Sequence, residues 1–300
     1  MPCFKCRGEL HPDQPQQHGL HRDCFVEWFG LSTPDDFMNL AAKTTSNKPP
    51  TPGFSRMNSS FFHGTFKKYS AELGSHSYIL KVQQKDYPEL PAMEYLCNQI
   101  ARLLKLDVPD FYFISFHGEN TFVTKTFVRK GQKENLIHVY RFLKDGQHFS
   151  CETLIAVIEQ QTKRLREVER FVELCLFDSL IGNHDRHGRN IGILETVEKQ
   201  TLAPFYDNPS YLGIEDDSLL LANHSPRGAI STIATTEPTI RDYVIEFERL
   251  GHRSVVQNFA NIVNLESILE LIGNSFMSEK RRLAFKKIVR ERHEELKNAL

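Results

Sequence analysis

The chain has little with which to enter a membrane, staple itself with disulfides or hold a polyanion. Its 300 residues contain no apolar run near the roughly 20 residues that span a bilayer, and Phe111-Tyr112-Phe113-Ile114 is typical of its short ones. The first residues show no apolar stretch of the signal-peptide kind, so a cytoplasmic setting without membrane contact is expected. Six cysteines are too few for a disulfide scaffold, and in a reducing compartment they are free or bound to metal. Lys and Arg number 37 against 38 Asp and Glu, a formal net charge of −1. That balance disfavours direct nucleic-acid binding as the main role. No internal repeat and no low-complexity tract is evident. What is present is 40% apolar and 25% charged residues, a globular composition long enough for two lobes.

The distribution along the chain is uneven. Three of the six cysteines fall within residues 1–30, which read as a small separate module that could be removed without unfolding the rest. Residues 31–53 hold Pro34, Pro49, Pro50 and Pro52 among Ser, Thr and Asn, the composition of a linker with one helical turn near Pro34 to Met38. From Phe54 the pattern changes. Phe61, Phe62 and Phe66, then residues 78–82, predict two strands separated by Gly74-Ser75. Met93, Leu96, Cys97, Ile100, Leu103 and Leu104 share a helical face behind Pro91, which suits a first turn. Residues 108–115 and 120–128 read as a β-hairpin. Beyond about Arg129, helices are predicted at 151–161, 168–180 and through most of 240–300, with a short strand at 191–194. The expected division is an N-lobe over 54–130 and a mainly helical C-lobe over 131–300.

The segment Gly182-Asn183-His184-Asp185-Arg186-His187-Gly188-Arg189-Asn190 lies between a predicted helix and a predicted strand. An Asp followed five residues later by Asn in that position is the layout of a phosphotransfer loop. The Asp orients an attacking hydroxyl and accepts its proton, and the Asn holds a Mg²⁺ on the nucleotide phosphates. Asp207, 17 residues beyond Asn190, is placed to be a second metal-binding carboxylate. Lys81, in a predicted strand, can pair with nucleotide phosphates, and Glu94 on the next helix can anchor it as an ion pair. Each of these alone is an ordinary surface residue or a capping Asp. The order strand-Lys, helix-Glu, hairpin, loop Asp and Asn, distal Asp is far more specific.

These segments resemble HipA-like serine/threonine kinases. Tyr78-Ile79-Leu80-Lys81, Tyr87-Pro88-Glu89-Leu90-Pro91-Ala92-Met93-Glu94 and Leu106-Asp107-Val108-Pro109 are similar to that family's strand, helix start and Val-Pro turn. Gly182 to Asn190 is similar to its Gly-Asn-x-Asp-Arg-His-x-x-Asn loop, and Pro204-Phe205-Tyr206-Asp207 to its Pro-x-Tyr-Asp metal site. The resemblance implies an α+β, two-lobe protein-kinase-like fold with a small β-rich N-lobe and a larger helical C-lobe, here preceded by the Cys/His module. It implies an ATP- and Mg²⁺-dependent serine/threonine protein kinase with Asp185 catalytic, Lys81 on the nucleotide, Asn190 and Asp207 on Mg²⁺, and Phe127 near the adenine. The family's phosphate loop is matched by Gly53-Phe54-Ser55-Arg56-Met57-Asn58-Ser59-Ser60, which lacks the family's lysine. Ser55 is thereby placed against the nucleotide, and Ser55, Ser59 and Ser60 are candidates for autophosphorylation, in that order of alignment only for the first two. Without the extra N-terminal subdomain of full-length HipA toxins, the chain resembles the shorter HipT-type toxin kinases. The implied partners are a protein substrate such as an aminoacyl-tRNA synthetase, and antitoxin proteins that include a separate small N-subdomain-like protein. A small-molecule or lipid kinase of the same fold, or a pseudokinase used as a binding module, is the alternative.

The first cysteines follow a different logic. Cys3-Phe4-Lys5-Cys6 and His21-Arg22-Asp23-Cys24 supply four soft ligands in two short knuckles, which suits tetrahedral Zn²⁺. His11 and His18 compete with His21 as the fourth ligand, and a redox Cys-x-x-Cys is a further reading. Near the other end, Lys280, Arg281, Arg282, Lys286, Lys287, Arg290 and Arg292 predict an amphipathic helix with a solvated basic face, or a docking face for an acidic partner.

Overall fold

The structure is a computed structural model that describes residues 2–33, 35–43, 68–128, 133–222 and 226–300. The chain opens with a small hairpin, β1 (Gln16–Gln17) and β2 (Leu20–His21), followed by helix α1 (Arg22–Phe29). Phe25 and Phe29, one helical turn apart, both face inward and are buried. The helix stops at Gly30, whose left-handed φ of 64° lets its N–H bond the Glu27 carbonyl.

The N-lobe is a five-stranded antiparallel sheet in the order β3-β4-β5-β7-β6. Its strands are β3 (Met38–Lys43), β4 (Lys68–Leu73), β5 (His76–Val82), β6 (Phe111–Phe116) and β7 (Glu119–Lys125). Period-two alternation sets one face: Ala71 and Leu73 in β4, and Tyr78 and Leu80 in β5, are buried while their neighbours are not. Helix α2 (Leu90–Leu103) lies against β6 and β7, with Pro91 in its first turn. It is buried on nearly every side, Glu94 and Asn98 included.

Two expectations need correction here. The stretch 31–53 is not wholly a linker: Met38–Lys43 is an edge strand paired to β4, and among the described residues 35–37 no helical turn forms. Pairing to an exposed strand edge outweighs the loop-like composition, because the edge satisfies backbone groups that a linker leaves to water. Nor is the Cys/His module a separate body. Cys3, Phe4, Leu20, Phe25 and Phe29 are part of the same buried apolar cluster as Tyr78, Tyr112 and Phe113 of the sheet. The module has too few large apolar residues for a core of its own, so it borrows the sheet's. The strand expected around Phe61 to Phe66, and the loop 53–60 with Ser55, Arg56, Ser59 and Ser60, lie outside the described residues.

A second sheet, ordered β10-β9-β8, joins the lobes through β8 (Asn135–His138), β9 (Gly192–Glu195) and β10 (Gln200–Leu202). The C-lobe contains α3 (Cys151–Thr162), α4 (Leu165–Ile181), α5 (Ile240–Arg249), α6 (Arg253–Ile262), α7 (Leu265–Gly273) and α8 (Glu279–Ala299). Helix α4 is its axis, buried from Phe171 almost without break to Ile181 and packed by α3, α5, α6 and α8. Such a helix is apolar around its circumference because it has no solvent face. The termini of the others are capped as their sequences direct: Ser150, Asn264 and Ser278 accept from first-turn amides, and Thr239 with Asp242 forms a capping box. The basic stretch in α8 is not simply a solvated face. Arg281 and Arg292 are buried, with Arg281 bonded to the Leu212 carbonyl and paired with Glu89, and Arg292 bonded to the carbonyls of Ser179 and Pro226. Among the described residues no helix is long and apolar enough to cross a membrane.

Candidate active site

A cavity of about 470 Å³ opens between the lobes, within the usual range for a small-molecule site. Lys81, Glu94, Phe127, Asp185, Asn190 and Asp207 all line it, drawn from β5, α2, the end of the N-lobe sheet and two C-lobe loops. Ser55 lies outside the described residues.

Lys81 sits in β5 opposite Phe122 of β7 on one side and Lys68 of β4 on the other. Its ammonium bonds both Glu94 and Asp207. Burial would lower the lysine, but the Asp207 and Glu94 charges overcome it and raise it, so Lys81 is a firm cation. Glu94 is only 2% exposed. Its burial raises its carboxyl against the pull of Lys81. Asp207 is opposed by burial too, but Lys68 and Lys81 together hold its carboxyl well below the usual carboxylate range. Lys68 Nζ stands 3.8 Å from Asp207 Oδ1. The cleft therefore contains a second lysine, although residues 53–60 supply none.

The two loops that face Lys81 are set by a buried hub. Helix α4 ends at Gly182 with φ 76°, where a Cβ would press on the Tyr211 ring at 3.2 Å and Ser210 Oγ at 3.3 Å. The chain turns there into the Asp185 loop. Arg186, 1% exposed, points back inward. It donates to Asp178 of α4 twice, at 2.7 Å from Nε and 2.8 Å from Nη2. It also donates to the carbonyls of Asn190 (3.1 Å) and Tyr206 (2.7 Å) and to Asn208 Oδ1 (2.7 Å). One guanidinium thus ties the end of α4, the Asp185–Asn190 loop and the Asp207 segment together. Asn208 extends the network to Asn98 at 3.1 Å, and Asn98 bonds the Glu94 carbonyl at 2.8 Å. The hub also holds Asp207 in a left-handed conformation, φ 53°, that costs a non-glycine residue about 1 kcal/mol or more. Within the loop, Asn183 Oδ1 accepts from the Asp185 amide at 3.1 Å, and Asn190 Nδ2 donates to the Asp185 carbonyl at 3.1 Å. With Nδ2 so engaged, the Asn190 oxygen is the atom suited to meet a cation.

Farther out, Phe127 faces Tyr206 with ring centres 5.7 Å apart. The Tyr206 hydroxyl donates to the Arg189 carbonyl at 3.0 Å and meets His138 Nδ1 at 3.1 Å. Burial, aided by Arg189 and Arg141, lowers the His138 imidazole, so it is neutral at pH 7.

The four expected soft ligands also come together. The ligand atoms of Cys3, Cys6, His21 and Cys24 all lie within 4.8 Å of one another. His21 Nδ1 faces Cys6 Sγ at 3.4 Å and Cys24 Sγ at 3.8 Å, while its Nε2 donates to the Glu9 carbonyl at 3.0 Å. That outer bond fixes the tautomer a metal ligand needs. Burial resists ionisation of Cys3, yet backbone bonds from Cys6, His21 and Lys5 bring its thiol down to about 6. Burial and the neighbouring sulfurs push Cys24 up to about 12. His18 instead bonds Asp36 at 2.6 Å and packs on Phe25, Phe37 and Phe116.

Sequence reasoning missed Lys68, Asp178, Asn98 and Asn208. The signal for them was weak: a lysine heading a strand, the polar residues Asn98 and Asp178 inside otherwise apolar helices, and an Asn beside Asp207 in a loop.

Comparison with known proteins agrees with the architecture. The profile of the HipA-like C-terminal domain matches residues 57–271. A Haemophilus influenzae protein named "Putative kinase" is 28% identical over 151 residues, covering 44% of each chain. "Putative kinase Y4dM" of Sinorhizobium fredii is 25% identical over 177 residues, covering 50% of this chain and 42% of its own. This chain therefore spans less than half the length of these relatives. In structure it is similar to the Helicobacter pylori proinflammatory kinase CtkA, with TM-score 0.65 and 19% identity over 77% of this chain and 92% of that one. It is also similar to Shewanella oneidensis HipA, solved in a complex with HipB and operator DNA, with TM-score 0.56 and 13% identity over 97% of this chain and 74% of that one.

Proposed function

Because the chain belongs to the HipA-like C-terminal domain family, we propose that it is an ATP- and Mg²⁺-dependent serine/threonine protein kinase of the HipA type. The observation that carries this reading is the convergence of Lys81, Glu94, Asp185, Asn190 and Asp207 on one cleft from four separate stretches of chain. Lys81 and Lys68 are the cations for the nucleotide phosphates, with the adenine toward Phe127. The hard oxygen donors of Asp207 and Asn190 suit Mg²⁺, which would neutralise phosphate charge when bound. Asp185 orients the substrate hydroxyl and takes its proton. The protein's own contribution is prepositioning: the Arg186 hub holds Asp185, Asn190 and Asp207 before any ligand arrives.

The substrate class is a protein hydroxyl, with an aminoacyl-tRNA synthetase as the first candidate on the family resemblance. An antitoxin and a small N-subdomain-like protein are the proposed partners; the Shewanella relative was solved with its antitoxin. Autophosphorylation is assigned to the loop serines, Ser55 before Ser59 and Ser60. There a phosphoserine of about −1.5 to −2 charges would be repelled by nucleotide phosphates. Zn²⁺ is the proposed ion for Cys3, Cys6, His21 and Cys24, since three thiols and an imidazole are soft and borderline donors.

The test is incorporation of γ-phosphate from ATP and Mg²⁺ into the full chain and into cell extract. Asp185→Asn should lose on the order of 10³-fold in rate while melting within a few degrees of wild type. Equal incorporation by both forms rejects the assignment of Asp185. Transfer to lipid or small molecules alone selects the other kinase class.

A further inference from the structure

The Cys/His cluster stands at one end of a chain of contacts that reaches Glu94. Phe4, between the first two cysteines, is wedged between the lobes. Its ring meets Phe113 of β6 at 5.1 Å and Phe276, in the turn between α7 and α8, at 5.0 Å. Arg7, directly after Cys6, donates to the Asn274 carbonyl at 2.9 Å and lies 3.7 Å over the Phe276 ring. Phe276 in turn stacks on Phe113 at 4.8 Å and touches Tyr95, the neighbour of Glu94 on α2, at 5.9 Å. From the other knuckle, α1 carries Cys24 and sets Trp28 edge-on to Tyr95 at 6.4 Å.

The segments that make these contacts are poor at holding themselves. Residues 3–7 form a turn closed by the bond from the Arg7 amide to the Cys3 carbonyl at 2.9 Å, with Arg7 at φ 63°, and the Cys3 and Phe4 amides bond only Gly8 and Gly19 of the same small module. Helix α1 has eight residues, too short to be stable by its own hydrogen bonds. A divalent ion joining both knuckles, whose four ligand atoms lie within 4.8 Å of one another, would supply the missing constraint. We propose that zinc bound by Cys3, Cys6, His21 and Cys24 acts as a clamp between the lobes: it holds Phe4 and Arg7 against the α7–α8 turn and thereby fixes the α2 face that presents Glu94 to Lys81. Metal occupancy then sets nucleotide affinity and transfer rate. This last step rests on the kinase reading; the mechanical link does not.

The experiment uses the full chain, treated with a zinc-selective chelator in the presence of Mg²⁺ and then resupplied with zinc chloride. Metal content, amide hydrogen exchange and ATP binding are measured together. Wild type should carry one zinc per chain. Its removal should speed exchange across residues 90–103 and 274–278 at least tenfold and weaken ATP binding at least tenfold, and added zinc should reverse both. Arg7→Met should retain zinc yet reproduce the faster exchange in both segments, which a local metal site without a clamp would not do. A chain that binds no zinc, or a metal-free chain whose exchange in 90–103 is unchanged, overturns the proposal. Cys6→Ser checks the ligand assignment, and reversible chelation of wild type keeps the test decisive if that variant misfolds. If exchange responds to zinc while neither form transfers phosphate, the clamp stands and the kinase reading falls.

Discussion

Arg186 and the Cys3–Cys6–His21–Cys24 cluster each hold short irregular segments in place, by opposite means. Arg186 works from inside. The rigid wall of α4 offers Asp178, and the loops it anchors turn carbonyls and Asn208 toward it, so every bond is made by protein groups. The Cys/His knuckles lie on a turn and an eight-residue helix that pack on the sheet's aromatic face through apolar side chains. Their four ligand atoms lie within 4.8 Å of one another, a set that could hold a metal ion. A buried charge can organise a loop where the core already exists; where the core is borrowed, the proposed source of the organising charge is a bound metal.

The largest expected effect breaks the borrowed core. Removing residues 1–30 exposes the sheet face formed by Tyr112 and Phe113 and discards the buried Phe4, Leu20, Phe25 and Phe29. At about 1.5–3 kcal/mol for each large side chain, the loss exceeds about 5 kcal/mol. The truncated chain should be insoluble or melt far below the full one. A truncated chain with an unchanged melting temperature would mean that the module is separable after all.

Next comes the hub. Arg186→Met leaves Asp178 buried and unpaired, at a cost of about 3–5 kcal/mol in denaturant unfolding. Phosphoryl transfer should fall with it, because Asp185, Asn190 and Asp207 lose a common anchor. A loss below about 1 kcal/mol would show that the network is replaceable by packing.

A pH series probes the charge cluster. Asp207 is held below the usual carboxylate range, so it contributes stability that is present above its unfolded pKa of about 3.9 and lost as pH falls toward its folded pKa. Asp207→Asn should therefore be less stable than wild type at pH 7, and the gap should narrow steadily below about pH 4. A gap that stays constant through the acid range would contradict the ion-pair origin.

The smallest effect belongs to Lys68, which is partly exposed and shares Asp207 with Lys81. Lys68→Met should weaken ATP binding on the order of tenfold, the scale of one charge-assisted hydrogen bond, with little change in melting. Calorimetric titration with ATP and Mg²⁺ checks it; undiminished affinity would confine phosphate binding to Lys81.

Much of this was legible in one dimension because it rests on local chemistry. Period-two alternation in residues 78–82, the helical face behind Pro91, the Asp185–Asn190 spacing and the Cys-x-x-Cys and His-x-x-Cys knuckles are short patterns. Each reflects a constraint that acts within a few residues. Asp207 and Lys81, at opposite ends of 126 residues of chain, were assigned to one site by their order, and the fold brings them into contact. What only the tertiary structure decided has a common character. Met38–Lys43 became a strand because β4 offered an edge, not because its composition asked for one. Lys68 entered the site through its register opposite Lys81. Asp178 and Asn208 acquire their roles from a guanidinium that arrives from another segment, and Asn98 joins them only through Asn208. The Cys/His module lost its independence because its phenylalanines found the sheet's aromatic face. Register, edge pairing and shared burial are properties of two segments at once, and no pattern within either one contains them.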